Sequence, residues 1–230
     1  MTDRPSDDAI QPEVVSIGPS SGLRYVHLQA RWAHQVEAIE LACFPTAEPE
    51  DLYDEAAIQD LAADFPEGCF VGLDGDEPVA NGFGVRTAFD FDHPQHNLEE
   101  LLSANPTPSG HDPAGDWYYG TDIAVRPDYR RRGIGHELYD LRKGVCRTLN
   151  LRGIVAGGVI PGFADHKHEM TADEYVAAVR AGELYDRTLT FQIENGFEAR
   201  CALANYLRDP AVDDFALLIV WRNPDYRADA

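Results

Sequence analysis

The sequence predicts a mixed α/β fold, of the α+β kind, built around one twisted sheet. Three observations indicate this class. Residues 117–149 read as a strand, a tight loop and an amphipathic helix in direct succession. The turn signal Asp74-Gly75-Asp76 joins two apolar segments as a hairpin. Two further apolar segments, 197–207 and 215–222, end the folded region as a predicted antiparallel pair.

The first half of the chain contains two predicted helices among three strands. Residues 23–29 alternate as a strand, and residues 30–44 carry apolar side chains at helical spacing. A second helix is predicted over 54–63, and the hairpin strands over 69–73 and 79–88. Residues 1–22 are rich in Asp, Pro and Ser, and we expect them to form a flexible tail.

Residues 89–116 interrupt the strand pattern and form a predicted insertion. The segment is too long for an ordinary hairpin connection, and it holds His93, His96 and His111 among Pro, Asn, Asp and Gly. The spacing of these histidines matches no familiar ligand pattern, so we predict no metal site. We expect either a lid over the active site or an oligomer contact.

The second half opens with the helix that begins near Gly133. One stripe of this helix is apolar and faces a core, at Ile134, Leu138, Leu141, Val145 and Leu149. The predicted outward face carries Glu137, Asp140, Arg142 and Lys143. Residues 153–160 follow as a parallel strand, Thr171-x-x-Glu174 opens an extra helix over about 171–182, and a short helix covers 186–194.

The loop before this long helix reads Arg130-Arg131-Arg132-Gly133-Ile134-Gly135-His136. A helix N-terminus offers unpaired backbone N–H groups and a positive dipole end, and glycines remove Cβ atoms that would block a ligand. We therefore predict an anion site, for a diphosphate. The commoner P-loop is absent, and a dinucleotide motif would need a third glycine where Leu138 stands.

Val125 followed by Arg130-x-x-Gly133-x-Gly135 and an amphipathic helix resembles the acyl-CoA-binding motif of the GNAT superfamily of N-acetyltransferases. Asn195-Gly196-Phe197, Asn205-Tyr206-Leu207 and Trp221-Arg222-Asn223-Pro224 resemble a subgroup often joined to a carbon-nitrogen hydrolase domain. The resemblance covers one domain over about 23–224, leaving 225–230 as a tail. It implies a mostly antiparallel sheet, a central parallel strand pair splayed for CoA, and helices on both faces.

The resemblance also implies acetyl-CoA as co-substrate, with its diphosphate on the loop amides and its pantetheine along the preceding strand. The predicted binding residues are Ile123, Ala124, Val125, Arg130, Arg131, Arg132, Gly133, Ile134, Gly135 and His136. In the family the next strand diverges near the thioester. Ala156-Gly157-Gly158 either lets the ligand approach the backbone there or packs closely against a helix.

Acetyl transfer needs a base, because only a neutral amine attacks a thioester. We predict Asp122, a lone carboxylate in an apolar strand, whose burial would raise its pKa; the alternative is a structural carboxylate paired with an arginine. Many GNAT enzymes place a catalytic tyrosine where this chain has Gln192, which could hydrogen bond to sulfur but supplies a proton poorly. Tyr119, Tyr185 and Tyr206 are the substitute acids, unless they only pack.

Composition limits the partners of this 230-residue chain. Its formal net charge of −21 argues against nucleic acid and against an anionic membrane. Positive charge is nevertheless concentrated near the predicted phosphate loop. Eight of the 19 Lys and Arg residues lie there, namely Arg126, Arg130, Arg131, Arg132, Arg142, Lys143, Arg147 and Arg152. Such a patch suits the phosphates of CoA, although the helix residues could instead form a solvated face.

The four cysteines form no Cys-x-x-Cys pair and predict buried thiols in a reducing compartment. No signal peptide or membrane-length apolar run is present, so we expect a cytoplasmic protein. The leading hypothesis is an acetyl-CoA-dependent N-acetyltransferase that acts on the primary amine of a small molecule by direct transfer in a ternary complex. The alternative is a non-catalytic acyl-CoA-binding regulatory or interaction module. A homodimer is a common family arrangement.

Overall fold

The computed structural model describes residues 12–228, and these form one mixed sheet of eight strands in the order β1-β2-β3-β4-β5-β6-β8-β7. The strands are β1 Val14–Ile17, β2 Arg24–His27, β3 Phe70–Asp74, β4 Glu77–Thr87, β5 Trp117–Val125, β6 Gly153–Val159, β7 Glu198–Leu203 and β8 Ala216–Arg222. Neighbouring strands are antiparallel except for the central pair β5 and β6, which is parallel. The predicted mostly antiparallel sheet with one parallel pair is confirmed.

Six α-helices of the described chain cover both faces of the sheet. They are α1 Ala33–Cys43, α2 Glu55–Asp64, α3 Leu98–Ser103, α4 Ile134–Thr148, α5 Ala172–Arg180 and α6 Leu189–Glu194. The apolar sides of α4, α5 and α6 pack into one core cluster on one face. Those of α1, α2 and α3 pack into a second cluster on the other. The prediction of helices on both faces is confirmed.

The N-terminal segment differs from the prediction of a flexible tail over 1–22. Residues 1–11 lie outside the described part, but Val14–Ile17 forms β1 and pairs with β2. The turn that joins these strands is held by the carboxylate of Glu137 on α4. This group accepts hydrogen bonds from the amides of Ser20 at 2.8 Å and Ser21 at 3.0 Å, and from the hydroxyl of Tyr25 at 2.7 Å. The prediction that Glu137 faces outward is therefore wrong, and its side chain is buried at 7 % exposure.

The prediction that Arg142 lies on the outward face of α4 is also wrong. Only 3 % of this residue is exposed, and its guanidinium lies against Gly82 of β4 and Gly120 of β5. It donates from Nη2 to the carbonyl of Phe83. Two glycines on adjacent strands leave the room that the guanidinium occupies, so Arg142 belongs to the core and not to a phosphate patch.

The segment between β4 and β5 contains α3 and packs on the face covered by α1 and α2. Its three histidines do not come together. His111 is buried and stacks on Phe65 with ring centroids 4.3 Å apart, His93 is exposed, and His96 contacts Tyr119. The segment is also tied to the loop after β7, because the amide of Leu98 donates to the carbonyl of Tyr206 at 3.2 Å.

The four cysteines carry thiols and form no disulfide with one another. Among residues 12–228, none of the helices combines the length and the apolar character needed to cross a bilayer.

Candidate active site

The two central strands separate at the middle of the sheet. β5 and β6 pair with each other only at Tyr118 with Ile154 and at Tyr119 with Val155. Beyond these positions β5 remains paired with β4 and β6 with β8, but not with each other. We call the resulting opening the β5–β6 cleft. It is the splayed parallel pair that the resemblance implies.

The backbone of β5 presents alternate residues to this cleft. The amide of Arg126 donates to the carbonyl of Val79 on β4 at 3.0 Å, so the backbone of Ala124, two residues earlier, also faces β4. Ile123 and Val125 therefore direct their N–H and C=O groups toward the cleft. The Val125 carbonyl accepts from Cys43 Sγ at 3.2 Å and from Arg130 Nε at 3.1 Å. Of the three predicted β5 binding residues, Ile123 and Val125 border the cleft, while Ala124 is buried with its backbone toward β4.

The predicted phosphate loop connects β5 to the N-terminus of α4. Gly133 adopts the left-handed conformation with φ of 83°, and the helix begins at Ile134. The amides of residues 134–136 belong to the first turn, where no helical carbonyl can accept them. Arg130, Arg131 and Arg132 are exposed and form no ion pair within the described chain. The loop thus combines a helix N-terminus with three available cations.

Other members of the predicted basic patch are already paired. Arg126 bonds Asp128 at 2.7 Å and also contacts Glu77, while Arg147 and Arg152 pair with Asp225 and Asp116 at 3.1 and 2.5 Å. Lys143 donates to the carbonyl of Asn195 at 2.9 Å. The positive charge available to an anion is therefore concentrated in the three loop arginines.

Gly135 and His136 contribute to the packing between α4 and α6. A Cβ atom at Gly135 would lie 2.8 Å from the Phe191 ring, so close helix packing requires the glycine. His136 Nδ1 donates to Asn195 Oδ1 at 2.8 Å, and its ring meets Phe191 with centroids 4.7 Å apart. Ile134 is buried in the core. Gly135 and Ile134 can therefore serve a ligand only through their backbone amides, while His136 is exposed and its Nδ1 is already bonded.

Asp122 on β5 lies in a buried polar group with Glu40 of α1 and Asn81 of β4. Asn81 Nδ2 donates to Asp122 Oδ2 at 2.5 Å and to Glu40 Oε1 at 2.6 Å. Burial raises the pKa of Asp122 to about 6. Burial and the neighbouring Asp122 raise the pKa of Glu40 well above its ordinary value. No arginine of the described chain forms an ion pair with Asp122 within 4 Å, although the charge of Arg142 acts on it and favours its ionised form.

A β-bulge sets the direction of Asp122. Phe83 of β4 opposes Asp122, while Gly84 opposes Gly120, so Thr121 is an extra residue on β5. The Tyr53 hydroxyl lies close enough that Thr121 affects its pKa. Four buried oxygens here have no hydrogen-bond partner in the described chain, namely Tyr53 OH, Asn81 Oδ1, Thr121 Oγ1 and Asp122 Oδ1.

Sequence reasoning found Asp122 but missed its partners Glu40 and Asn81. The available signal was the same in each case, a polar residue inside an apolar pattern. Glu40 lies among Val36, Ile39 and Cys43 on the buried side of α1, and Asn81 lies in the apolar β4. That pattern marks each residue as unusual, but it does not reveal that they meet.

Tyr119, predicted as a candidate acid, is the middle member of a hydrogen-bonded chain at the closed end of the cleft. His96 Nδ1 must donate to the carbonyl of Pro94, at 2.7 Å. Burial lowers the pKa of His96, which favours the neutral ring, so Nε2 accepts from the Tyr119 hydroxyl at 2.7 Å. Tyr206 OH lies 3.0 Å from Tyr119 OH and donates to it.

Gln192 lies against β6 on the opposite side of the sheet from Tyr206. Its amide packs where Gly158 has no Cβ, and its Oε1 is buried without a partner in the described chain. The Tyr206 ring occupies the corresponding space at Gly157. The small residues of β6 therefore admit side chains, which supports the packing alternative for this strand. Tyr185 is 76 % exposed and lies outside this arrangement.

A group of three side chains within metal-ligand distance lies at the surface. Ligand atoms of His34, Glu37 and Glu55 lie within 4.8 Å of one another, and two of the three residues are exposed. Neither geometry nor burial connects this group to the β5–β6 cleft.

The sequence matches a protein-family model and two proteins of Bacillus subtilis (strain 168). The model of the acetyltransferase (GNAT) family matches residues 33–162. "Probable hydrolase YhcX" of Bacillus subtilis (strain 168) is 37% identical over 185 residues, which cover 80% of this chain and 35% of that protein. The chain thus spans about a third of that relative's length. "Uncharacterized N-acetyltransferase YkwB" of the same organism is 28% identical, covering 83% of this chain and 84% of its own.

Solved structures share the fold. The GphF GNAT-like decarboxylase in complex with isobutyryl-CoA superposes with a TM-score of 0.75 at 19% identity, over 87% of this chain and 99% of that chain. The ribosomal-protein-S18-alanine N-acetyltransferase from Escherichia coli gives 0.52 at 15% identity, over 90% and 98%. Because the family model matches more than half of the sequence and the splayed strand pair is present, this chain belongs to the acetyltransferase (GNAT) family.

Proposed function

We propose that this chain transfers an acetyl group from acetyl-CoA to the primary amine of a small molecule, by direct transfer in a ternary complex. The observation that carries the proposal is Asp122, a buried carboxylate on the strand that borders the β5–β6 cleft of a GNAT-family chain. Its raised pKa suits a group that must take up a proton near neutral pH.

The cleft and the loop supply the groups that acetyl-CoA requires. The N–H groups of Ile123 and Val125 face the cleft, where an extended pantetheine could pair with the strand. The amides of Gly133 and residues 134–136 would hold the diphosphate at the α4 N-terminus. The exposed Arg130, Arg131 and Arg132 would pair with phosphate oxygens. Acetyl-CoA is the co-substrate, and no metal ion is assigned a role.

The proposed reaction balances with Asp122 as base. The acceptor ammonium gives one proton to Asp122, and the neutral amine attacks the thioester carbonyl. The C–N bond forms, the C–S bond breaks, and sulfur leaves with the electron pair. The second proton lost from nitrogen ends on the CoA thiol. Gln192 is the candidate hydrogen-bond donor to sulfur, and Tyr119 and Tyr206 are the candidate acids through which this proton would pass to the thiolate.

The test is release of CoA from acetyl-CoA in the presence of a panel of small primary amines, with the acetylated product identified by mass. We expect at least one amine to be turned over. Binding of acetyl-CoA with no product from any amine, under conditions where a known family member is active, would contradict the transferase and favour the non-catalytic acyl-CoA-binding module.

A second candidate is a reaction of acyl-CoA that needs no amine. It is favoured by the likeness to the GphF GNAT-like decarboxylase and by the insertion, whose α3 covers the sheet face beside Tyr119 and Tyr206. A carboxyacyl-CoA would lose CO₂, and the resulting carbanion would take a proton. Incubation with malonyl-CoA distinguishes the two candidates, because only decarboxylation yields acetyl-CoA and CO₂ without an added amine.

A further inference from the structure

Two buried carboxyl groups from distant parts of the chain share one amide. Glu40 is 1 % exposed and Asp122 is 8 % exposed. Asn81 Nδ2 lies 2.6 Å from an oxygen of the first and 2.5 Å from an oxygen of the second. A primary amide nitrogen carries two protons, so Asn81 uses both of its donors to join the carboxyls.

At neutral pH the Glu40–Asp122 pair holds one proton, because repulsion between the two charges disfavours ionisation of both carboxyls. Two carboxylates this close in a buried site cannot both be ionised without a large cost. The positive charge that acts on Asp122 is that of Arg142, which reaches the strand pair from α4. The remaining titratable neighbours are Cys43 on α1, Tyr53 before α2 and Cys69 before β3. Burial raises the pKa of each above its ordinary value, so all three are neutral. Arg130 is exposed and acts on Cys43.

The two carboxyls are not equivalent. Glu40 is the more deeply buried, and both burial and the charge of Asp122 raise its pKa. Glu40, the charge of Arg142 and the amide of Asn81 each oppose the effect of burial on the pKa of Asp122 and so favour its anion. Glu40 is therefore the protonated member, and Asp122 keeps one buried oxygen, Oδ1, that has no partner in the described chain.

We propose that Glu40 and Asp122 form a one-proton carboxyl pair joined by Asn81, in which Glu40 keeps the proton and Asp122 Oδ1 receives the proton of the acceptor amine. This inference rests on the proposed transferase function. Glu40 is a positioning residue, because it acts on the substrate only through Asp122. During turnover one proton moves from the ammonium nitrogen to Asp122 Oδ1, and the proton of Glu40 stays in place.

The pair itself is tested without any acceptor, by carboxyl ¹³C NMR of the full chain labelled at Asp and Glu. We expect one buried carboxyl to titrate near pH 6 and another well above the ordinary range. Asp122→Asn should lower the midpoint of Glu40 by about one pH unit or more, because it removes a neighbouring charge. Glu40→Gln should abolish the high titration. Glu37→Gln, one turn away on α1, should leave both unchanged.

The role in catalysis is tested by the pH dependence of transfer. Glu40→Gln retains a neutral donor, so its midpoint should stay near that of the wild type. Glu40→Ala removes the donor and should raise the midpoint by about one pH unit. A purely structural Glu40 would lower activity without moving the midpoint in either variant.

The outcomes separate this inference from the proposed function. The pair is overturned, even if transfer is observed, by either of two results. One is that both carboxyls titrate below about pH 5, and the other is that Asp122→Asn leaves the titration midpoint of Glu40 unchanged. A coupled titration in a protein that transfers acetyl to no amine supports the pair and overturns the role of Asp122 as base. If Glu40→Ala does not fold, the Glu40→Gln variant and the NMR titrations still test whether Glu40 and Asp122 form the pair.

Discussion

Asp122 is the residue on which the chemistry depends. It lies between apolar neighbours on β5, and the bulge at Thr121 turns it toward Asn81 and Glu40. Sequence alone marks such a carboxylate as unusual and predicts the direction of its pKa shift, because burial disfavours charge. It does not reveal which groups surround it, since Glu40, Asn81 and Asp122 are separated by 41 positions at each step.

Replacing Asp122 by Asn should remove the base but preserve the shape of the site. We expect turnover to fall by about 100- to 10,000-fold, the range typical of a lost general base. Stabilisation by acetyl-CoA should be unchanged, because the loop and cleft remain. Asp140→Asn, an exposed carboxylate on α4, is the matched control. If Asp122→Asn turns over as fast as the control, another residue acts as the base.

Asp122 should also lower stability at the pH where it acts. Its folded-state pKa of about 6 lies above the ordinary value of 3.8, so the native state binds the extra proton between these values. Stability contributed by the protonated form is therefore lost as pH rises from about 4 to 6.5. In urea unfolding, the free energy of unfolding of Asp122→Asn relative to that of the wild type should increase by about 1–3 kcal/mol over this pH range. A constant difference between pH 4 and 7 would show that Asp122 titrates normally.

Among the elements, α4 shows most clearly what a local pattern predicts and what it does not. Its start at Gly133 and its apolar stripe follow from local spacing, and the structure places the helix at Ile134–Thr148. The same pattern places Glu137 and Arg142 on the solvent face, because the spacing within one helix contains no information about remote partners. Glu137 bonds residues 116 and 117 positions away, and Arg142 reaches a carbonyl 59 positions away.

The contact between α4 and the β1–β2 turn should measurably stabilise the fold. Burial opposes ionisation of Glu137, but hydrogen bonds from Ser21, Tyr25 and Ser20 outweigh it and lower its pKa. Glu137→Gln should therefore cost about 1–3 kcal/mol at pH 7, because charged acceptors bind donors more strongly. A carboxyl group whose pKa is lowered on folding stabilises the folded state at pH values above its unfolded-state pKa. That stabilisation is lost as the pH falls through its folded-state pKa. The difference between wild type and variant should thus shrink below about pH 4.

Denaturant unfolding at pH 7 and pH 3 checks this prediction, with Asp140→Asn as the exposed control on the same helix. A Glu137→Gln variant as stable as the control at pH 7 would mean that the turn does not depend on the carboxylate.

At the scale of the whole molecule, the sheet and its family could be predicted because the identifying motif is local. Strand, loop and helix are contiguous over residues 117–149, and the hairpin signal fixes a second strand pair. The register of the sheet, the bulge on β5 and the packing of the insertion depend on contacts between distant segments. Those features complete the candidate site, and periodicity in one segment cannot predict them.

The net charge of −21 should make stability depend on salt. Like charges spread over the surface repel one another more in the compact state than in the unfolded chain. Screening by salt reduces this repulsion, with a Debye length of about 10 Å at 0.1 M. The melting temperature should rise as sodium chloride increases from about 10 to 300 mM. A falling melting temperature over that range would mean that attractive ion pairs outweigh the self-repulsion.

The most direct test of the acyl-CoA site is a thermal melt of the wild type with and without acetyl-CoA. A ligand at about 100 times its dissociation constant adds roughly 2.7 kcal/mol, which for a domain of this size predicts a rise of about 5–10 °C. The rise should shrink strongly in an Arg130→Ala/Arg132→Ala double variant and persist in Arg180→Ala, an exposed arginine on α5. No rise in the wild type at millimolar acetyl-CoA, or an equal rise in the double variant, would contradict an acyl-CoA site at the cleft and loop.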